Sequence, residues 1–198
     1  MELRDAVRRR RMVRTYDPGR PVPREMVEEL LNLATRAPSA GHTQGWRFLV
    51  LDEPGRRETF WTATSDGAPD AWLARMQTAP MLVIFFSDRQ AYLDRYAEPD
   101  KGWTDRDEAR WPVPYWHVDT GMAAMIFLLA AVEQGLGACL FGVPPDRWPD
   151  LFAAFNIPEA LAPVGVVSLG YPAPDMRSPS LKRGRRPLAE LLSYGSFG

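Results

Sequence analysis

Apolar and polar positions alternate along this chain with two different periods, and each change of period marks an element. Leu3, Ala6 and Val7 share one face of a short amphipathic helix over residues 2–9, ended by Asp17-Pro18-Gly19 and the extended Pro21 and Pro23. From Arg24 the apolar positions Met26, Val27, Leu30, Leu31 and Ala34 recur at helical spacing until Pro38 closes the helix. Residues 47–52 alternate briefly and predict a strand, stopped by Glu53-Pro54-Gly55. Residues 71–76 predict a short helix before Pro80. Met81-Leu82-Val83-Ile84-Phe85-Phe86 is then a continuous apolar run, as in a strand buried on both faces.

The pattern breaks over residues 89–114, which are charged, aromatic and irregular, with Tyr92, Tyr96, Trp103 and Trp111 among acids and arginines. So many large aromatics predict a lid or long excursion rather than a linker. Residues 115–134 predict the strongest helix, apolar nearly all round from Met122 to Val132 and so central to the fold; Gly135 ends it. A short strand over 138–141 follows, then a surface helix over 145–155 with Pro145 in its first turn. A clear strand covers 163–169, and a short terminal helix 187–192. Helices and strands in mixed order predict one α+β domain over residues 1–198, built on a central sheet.

Composition removes whole classes of function. A chain of 198 residues, 45% hydrophobic and 25% charged, buries a substantial core without staples. A net charge of −1 speaks against a nucleic-acid partner unless a local patch provides one. Cys139 is the single cysteine, so no intrachain disulfide and no cysteine-rich metal site can form; in an apolar strand it reads as packing. Two histidines, His42 and His117, weigh against a zinc centre. The N-terminus lacks the apolar core of a signal peptide and the Met122–Val132 run is too short to span a bilayer, so the expectation is a cytoplasmic protein without membrane contact. Neither a Gly-x-Gly-x-x-Gly turn nor a Gly-x-Ser-x-Gly elbow is present.

Three separated stretches carry candidate chemistry. Arg10-Arg11-Met12-Val13-Arg14 reads as a solvated helix end, a nucleic-acid arm or an anion site. The stretch Pro38-Ser39-Ala40-Gly41-His42-Thr43-Gln44-Gly45-Trp46 has turn composition, but a bare turn does not need Gln44 and Trp46 at those offsets. Lys182-Arg183-Gly184-Arg185-Arg186-Pro187 reads alone as a basic tail.

Taken together, in this order, the three stretches resemble the FMN-binding residues of the nitroreductase family, and the resemblance runs from about Leu3 to Leu192. The first is similar to the family's Arg-x-Ser-x-Arg/Lys signature, with Met12 where Ser is usual, and Met12 can offer only its backbone N–H. The second is similar to Ala-Pro-Ser-x-x-Asn-x-Gln-Pro-Trp, with His42 for Asn and Gly45 for Pro; the third is similar to Lys-x-Arg-Arg-Pro-Leu.

The resemblance implies a central mixed, mostly antiparallel sheet flanked by helices in an intertwined homodimer. FMN would be held by Arg10, Arg11, Met12, Arg14, Pro38, Ser39, Ala40, His42, Gln44, Phe141, Gly142, Arg183 and Arg185. The Pro38–Gln44 loop would come from the second subunit, and the Phe141–Gly142 backbone would lie near flavin N5. Arg10, Arg183 and Arg185 would take the phosphate end and Arg14 the pyrimidine edge, where a fixed cation favours the reduced ring. The Asn or Lys that other members supply near residues 65–77 has no counterpart that can be placed.

The implied activity is NAD(P)H-dependent reduction of a small, planar or aromatic acceptor (nitro, quinone or enone) by a ping-pong cycle, with the flavin and no side chain doing the chemistry. Flavin fragmentation, reductive dehalogenation and flavin binding without turnover are the alternatives. Tyr92, Tyr96, Trp103, Trp111 and Tyr115 would either stack on the acceptor or cover apolar surface of the dimer.

Overall fold

The structure, a computed structural model, describes residues 1–66, 68–176 and 178–197. Four strands, β1 (Trp46–Leu51), β2 (Met81–Asp88), β3 (Gly137–Phe141) and β4 (Leu161–Gly170), form one sheet in the order β1-β2-β4-β3. Every pairing among these four strands is antiparallel, and outside them an isolated parallel bridge joins Met12 to Ala138.

The apolar run of β2 is explained by two-sided burial. Side chains alternate across a strand, so Met81, Val83 and Phe85 enter one core with Val27, Leu30 and Phe127, whereas Leu82, Ile84 and Phe86 enter a second with Phe60, Met76 and Leu151. The first core is covered by α2 (Arg24–Ala34) and α6 (Tyr115–Glu133), the second by α3 (Pro54–Thr64), α4 (Ala71–Met76) and α7 (Trp148–Phe155). Helix α1 (Leu3–Arg9) lies along α6, where the Met1 amino group pairs with Glu133 at 2.9 Å.

By length and composition α6 could cross a membrane, longer than its apolar run alone implies. Here it is the core helix, with Ala123, Ala124, Phe127 and Leu128 packed on the sheet and Asp119 and Thr120 buried in its first turns.

Two helices were not expected. Glu53-Pro54-Gly55 does not simply stop β1, because Pro54 occupies the first turn of α3, where its missing N–H costs nothing. Within the supposed irregular excursion, Arg89–Ala97 forms α5, capped by the Asp88 carboxylate accepting from Ala91 N–H at 3.1 Å. The excursion that remains, residues 98–114, holds one short 3₁₀ turn (Glu108–Arg110). The terminal helix shrinks to a 3₁₀ turn at Leu188–Glu190, and residues 181–197 are exposed throughout.

Candidate active site

After α1 the chain runs beside the free edge of β3, so the arginine motif is placed by backbone pairing. Val13 N–H donates to Ala138 O at 3.0 Å, and Met12 Sδ accepts from Leu140 N–H at 3.4 Å. Arg10 sits at the end of α1, half-buried, with Nη1 fully enclosed and, among the described residues, without a hydrogen-bond partner. A buried, unpaired guanidinium donor is costly, and an anion at that point would remove the cost. Arg14 is half-buried beside Met12 O, which accepts from its Nη1 at 3.3 Å; Arg11 is exposed. Asp175 locks this strand, accepting from Arg14 N–H at 2.9 Å and Thr15 Oγ1 at 3.0 Å.

Phe141 ends β3 and Gly142 follows it. The Phe141 ring stacks on Trp61, centroids 5.7 Å apart and 13° from parallel, and meets the edge of Trp72 at 5.9 Å. Trp61, Ser65, Asp70, Trp72, Phe141 and Gly142 belong to the lining of a cavity of about 320 Å³. The segment 65–77, of which residue 67 lies outside the described residues, therefore does reach the β3 terminus, and Trp72 and Asp70 stand where sequence reasoning could place nothing. Asp70 is occupied as the cap of α4, accepting from Trp72 N–H and Leu73 N–H. A larger hollow of about 570 Å³ opens on the outer side of α3, between Arg57, Glu58, Thr62 and Gln77, and shares only Trp61 and Ser65 with the first.

The Pro38–Trp46 loop is elsewhere. It is hung on α5 and on the start of α6: Ala40 N–H donates to Asp119 Oδ2 at 2.8 Å, and Arg95 Nε donates to Gly41 O at 2.9 Å. Inside the loop, Ser39 Oγ accepts from Gln44 N–H at 2.9 Å. His42 and Gln44, both exposed, hold φ of 55° and 54°, left-handed conformations that cost about 1–3 kcal/mol each in a side-chain-bearing residue. Asp119 lies in the first turns of α6, whereas the arginine motif lies beside Gly137, just beyond the helix end at Glu133. Fourteen residues at 1.5 Å separate the two ends by about 21 Å. The sheet repeats the separation, since Trp46 pairs with Ser87 at one end of β2 and Met81 with Leu169 at the other. One chain therefore joins the first motif to Phe141–Gly142 and keeps the second at the opposite end of α6. Arg183 and Arg185 lie on the exposed tail and, among the described residues, make no side-chain hydrogen bond or ion pair with either.

The lid aromatics pack mainly on one another. Tyr92 is 0% exposed, its hydroxyl donating to Asp119 Oδ2 at 2.7 Å, and Trp111 is 9% exposed among Tyr92, Tyr96, Trp103 and Trp116. Tyr92 and Trp111 are thus core of the excursion and not a stacking surface, which corrects that expectation for both. Half-buried Tyr96 and Trp103 and exposed Tyr115 keep accessible ring surface.

Burial pushes the Tyr92 phenol up, reinforced by Asp119, and burial likewise raises the Cys139 thiol despite Arg14 nearby. Among the described residues no group of His, Cys, Asp and Glu could hold a metal ion. Sequence reasoning missed Asp119, Arg95, Asp175, Trp61 and Trp72; the one legible signal was Asp119, a carboxylate in the first turns of a largely apolar helix.

An α+β sheet with an arginine-bearing segment at its edge and an aromatic cavity at the end of β3 frames the candidate site, and comparison with known proteins names the family. The model of the nitroreductase family matches residues 7–171. A Methanothermobacter thermautotrophicus protein assigned as an NADH dehydrogenase/NAD(P)H nitroreductase is 31% identical over 87% of this chain and 78% of its own. The iodotyrosine deiodinase of Nematostella vectensis is 24% identical over 96% and 74%. The crystal structure of an Exiguobacterium sibiricum 255-15 protein assigned to the nitroreductases, in complex with FMN, superposes with a TM-score of 0.76 at 22% identity, covering 98% of this chain and 97% of that one. The chain belongs to the nitroreductase family and has its oxidoreductase fold.

Proposed function

We propose that this chain is an FMN-dependent NAD(P)H oxidoreductase acting on a small planar acceptor. The observation that carries the reading is the enclosed, unpartnered Nη1 of Arg10, a buried cationic donor beside the β3 edge that fits a phosphate. Arg10 would hold the phosphate end, Arg14 the pyrimidine edge, and the Phe141–Gly142 backbone the ring near N5. Bound there, FMN supplies the two-electron chemistry that carries reducing equivalents from NAD(P)H to a nitro, quinone or enone acceptor. The FMN-bound E. sibiricum relative and the NAD(P)H-linked M. thermautotrophicus relative support this assignment.

The site is completed in a homodimer. The separation of the arginine motif from the Pro38–Gln44 loop supports a loop donated by a second copy, with Pro38, Ser39, Ala40, His42 and Gln44 lining the flavin. Val7 on α1, Val118 and Met125 on α6, and Leu181, Leu188 and Leu191 on the tail are exposed apolar side chains such an interface would cover. The tail would then bring Arg183 and Arg185 to the phosphate. Reductive dehalogenation is the second reading, favoured by the deiodinase relative.

The test is a titration of purified protein with FMN, followed by fluorescence quenching alongside light scattering. Saturation at one FMN per chain in a dimer supports the proposal; a monomer that takes up no FMN refutes it.

A further inference from the structure

Asp119 is an expensive residue to keep. It is 1% exposed in the first turns of the core helix, and among the described residues it has no ion-pair partner. A buried carboxylate is tolerated only where strong donors replace its water. Two do, and both reach the same oxygen: Tyr92 Oη at 2.7 Å and Ala40 N–H at 2.8 Å donate to Oδ2.

The Tyr92 ring then fixes the far end of the loop. A Cβ on Gly45 would come within 2.5 Å of Tyr92 Cε2 and 3.0 Å of the Asp88 carbonyl oxygen, so only glycine lets the chain pass. At the near end, a Cβ on Gly41, whose φ is +62°, would meet Tyr96 Cε2 at 2.8 Å. The glycine that departs from the family pattern at position 45 thus has a physical reason in Tyr92.

We propose that Asp119 and Tyr92 are positioning residues of the flavin site: they form a buried mould that holds the Ser39–Gln44 loop, left-handed residues included, in its flavin-facing shape. Arg95 extends the mould, binding Gly41 O with Nε while its guanidinium forks onto Asp100 at 2.7 and 2.8 Å, which ties the loop to the start of the excursion. This role rests on the FMN reading above.

The experiment compares full-length wild type with Asp119→Asn, Asp119→Ala and Tyr92→Phe. The readouts are FMN affinity, the visible circular dichroism of the bound flavin, and hydrogen exchange over residues 39–45. Because one oxygen takes both donors, an amide oxygen can replace it, so Asp119→Asn keeps FMN affinity within about threefold. Asp119→Ala leaves the Ala40 N–H and the Tyr92 hydroxyl without their acceptor, so it weakens FMN binding about tenfold or more, alters the flavin dichroism and speeds exchange. Tyr92→Phe, with one donor lost and the ring retained, gives a smaller change in the same direction and serves if Asp119→Ala does not fold. Folded Ala and Phe variants with wild-type affinity, dichroism and exchange would overturn the proposal. A wild type that takes up no FMN overturns the flavin reading instead; exchange at Ala40 would still report whether Asp119 holds the loop.

Discussion

The thioether of Met12 and the backbone N–H of Leu140 face each other at 3.4 Å, sulfur accepting, so the residue that departs from the family's serine closes the edge of β3. Met12 also packs against both hydrophobic cores and pairs with Ala138 through its backbone. Its side chain is a structural element of the strand edge, and the proposed phosphate contact rests on Arg10 instead.

Met12→Ser should therefore destabilise the fold. Losing a half-buried thioether in contact with two cores costs about 1–3 kcal/mol, and a urea melt should show a lower midpoint at unchanged slope. A midpoint equal to wild type would mean that the sulfur contact carries no weight.

Arg10 behaves in the opposite way. Its enclosed Nη1 lacks a partner, so Arg10→Met removes an unpaired buried donor and should leave the FMN-free protein as stable as wild type or more so. The same change should weaken FMN binding by about tenfold to a hundredfold, the worth of a charge-assisted hydrogen bond. Thermal melts with and without FMN separate the two effects, and a variant that loses stability while retaining affinity would assign Arg10 to the scaffold.

The lid tryptophans should divide in the same manner. Trp111 is core to its cluster, and Trp111→Ala should cost about 3–5 kcal/mol. Trp103, half-buried at the rim against Tyr96, should cost less and change KM for aromatic acceptors. If both variants keep the steady-state constants of every active acceptor, the excursion takes no part in acceptor choice.

Cys139 is 2% exposed and burial raises its thiol pKa, so little reactive thiolate forms at mildly alkaline pH in the native protein. Iodoacetamide at about pH 8 should leave the folded chain unlabelled and modify it once per chain in urea. Rapid native labelling would place the thiol in a more open setting.

What could be read in advance follows from how local each cause is. The β2 strand was legible because burial on both faces leaves an uninterrupted apolar run, and α4 because its apolar residues sit between turn signals. Helix α3 was hidden because Pro54 reads as a stop in a strand context, although the same residue starts a helix; its buried anchors Phe60 and Trp61 appear only once the second core exists. Helix α5 was hidden by its charges: Arg89 and Asp94 are exposed and Arg95 turns to the Gly41 carbonyl, while Tyr92 and Leu93 are buried. The arginine motif was legible as a cluster of cations, but the isolation of Arg10 Nη1 depends on packing that no spacing encodes. The role of Tyr92 inverted for the same reason: an aromatic among charges looks accessible until Asp119, far along the chain, meets its hydroxyl.

The central claim is that FMN and a nicotinamide donor work together on this fold. The measurement that tests it most directly is the visible absorbance of FMN-loaded protein, recorded anaerobically before and after NADPH and then NADH. The account predicts that the flavin band bleaches with at least one donor and returns when a nitro, quinone or enone acceptor is added. A band that neither donor bleaches would contradict it and leave a protein that binds flavin without turning it over.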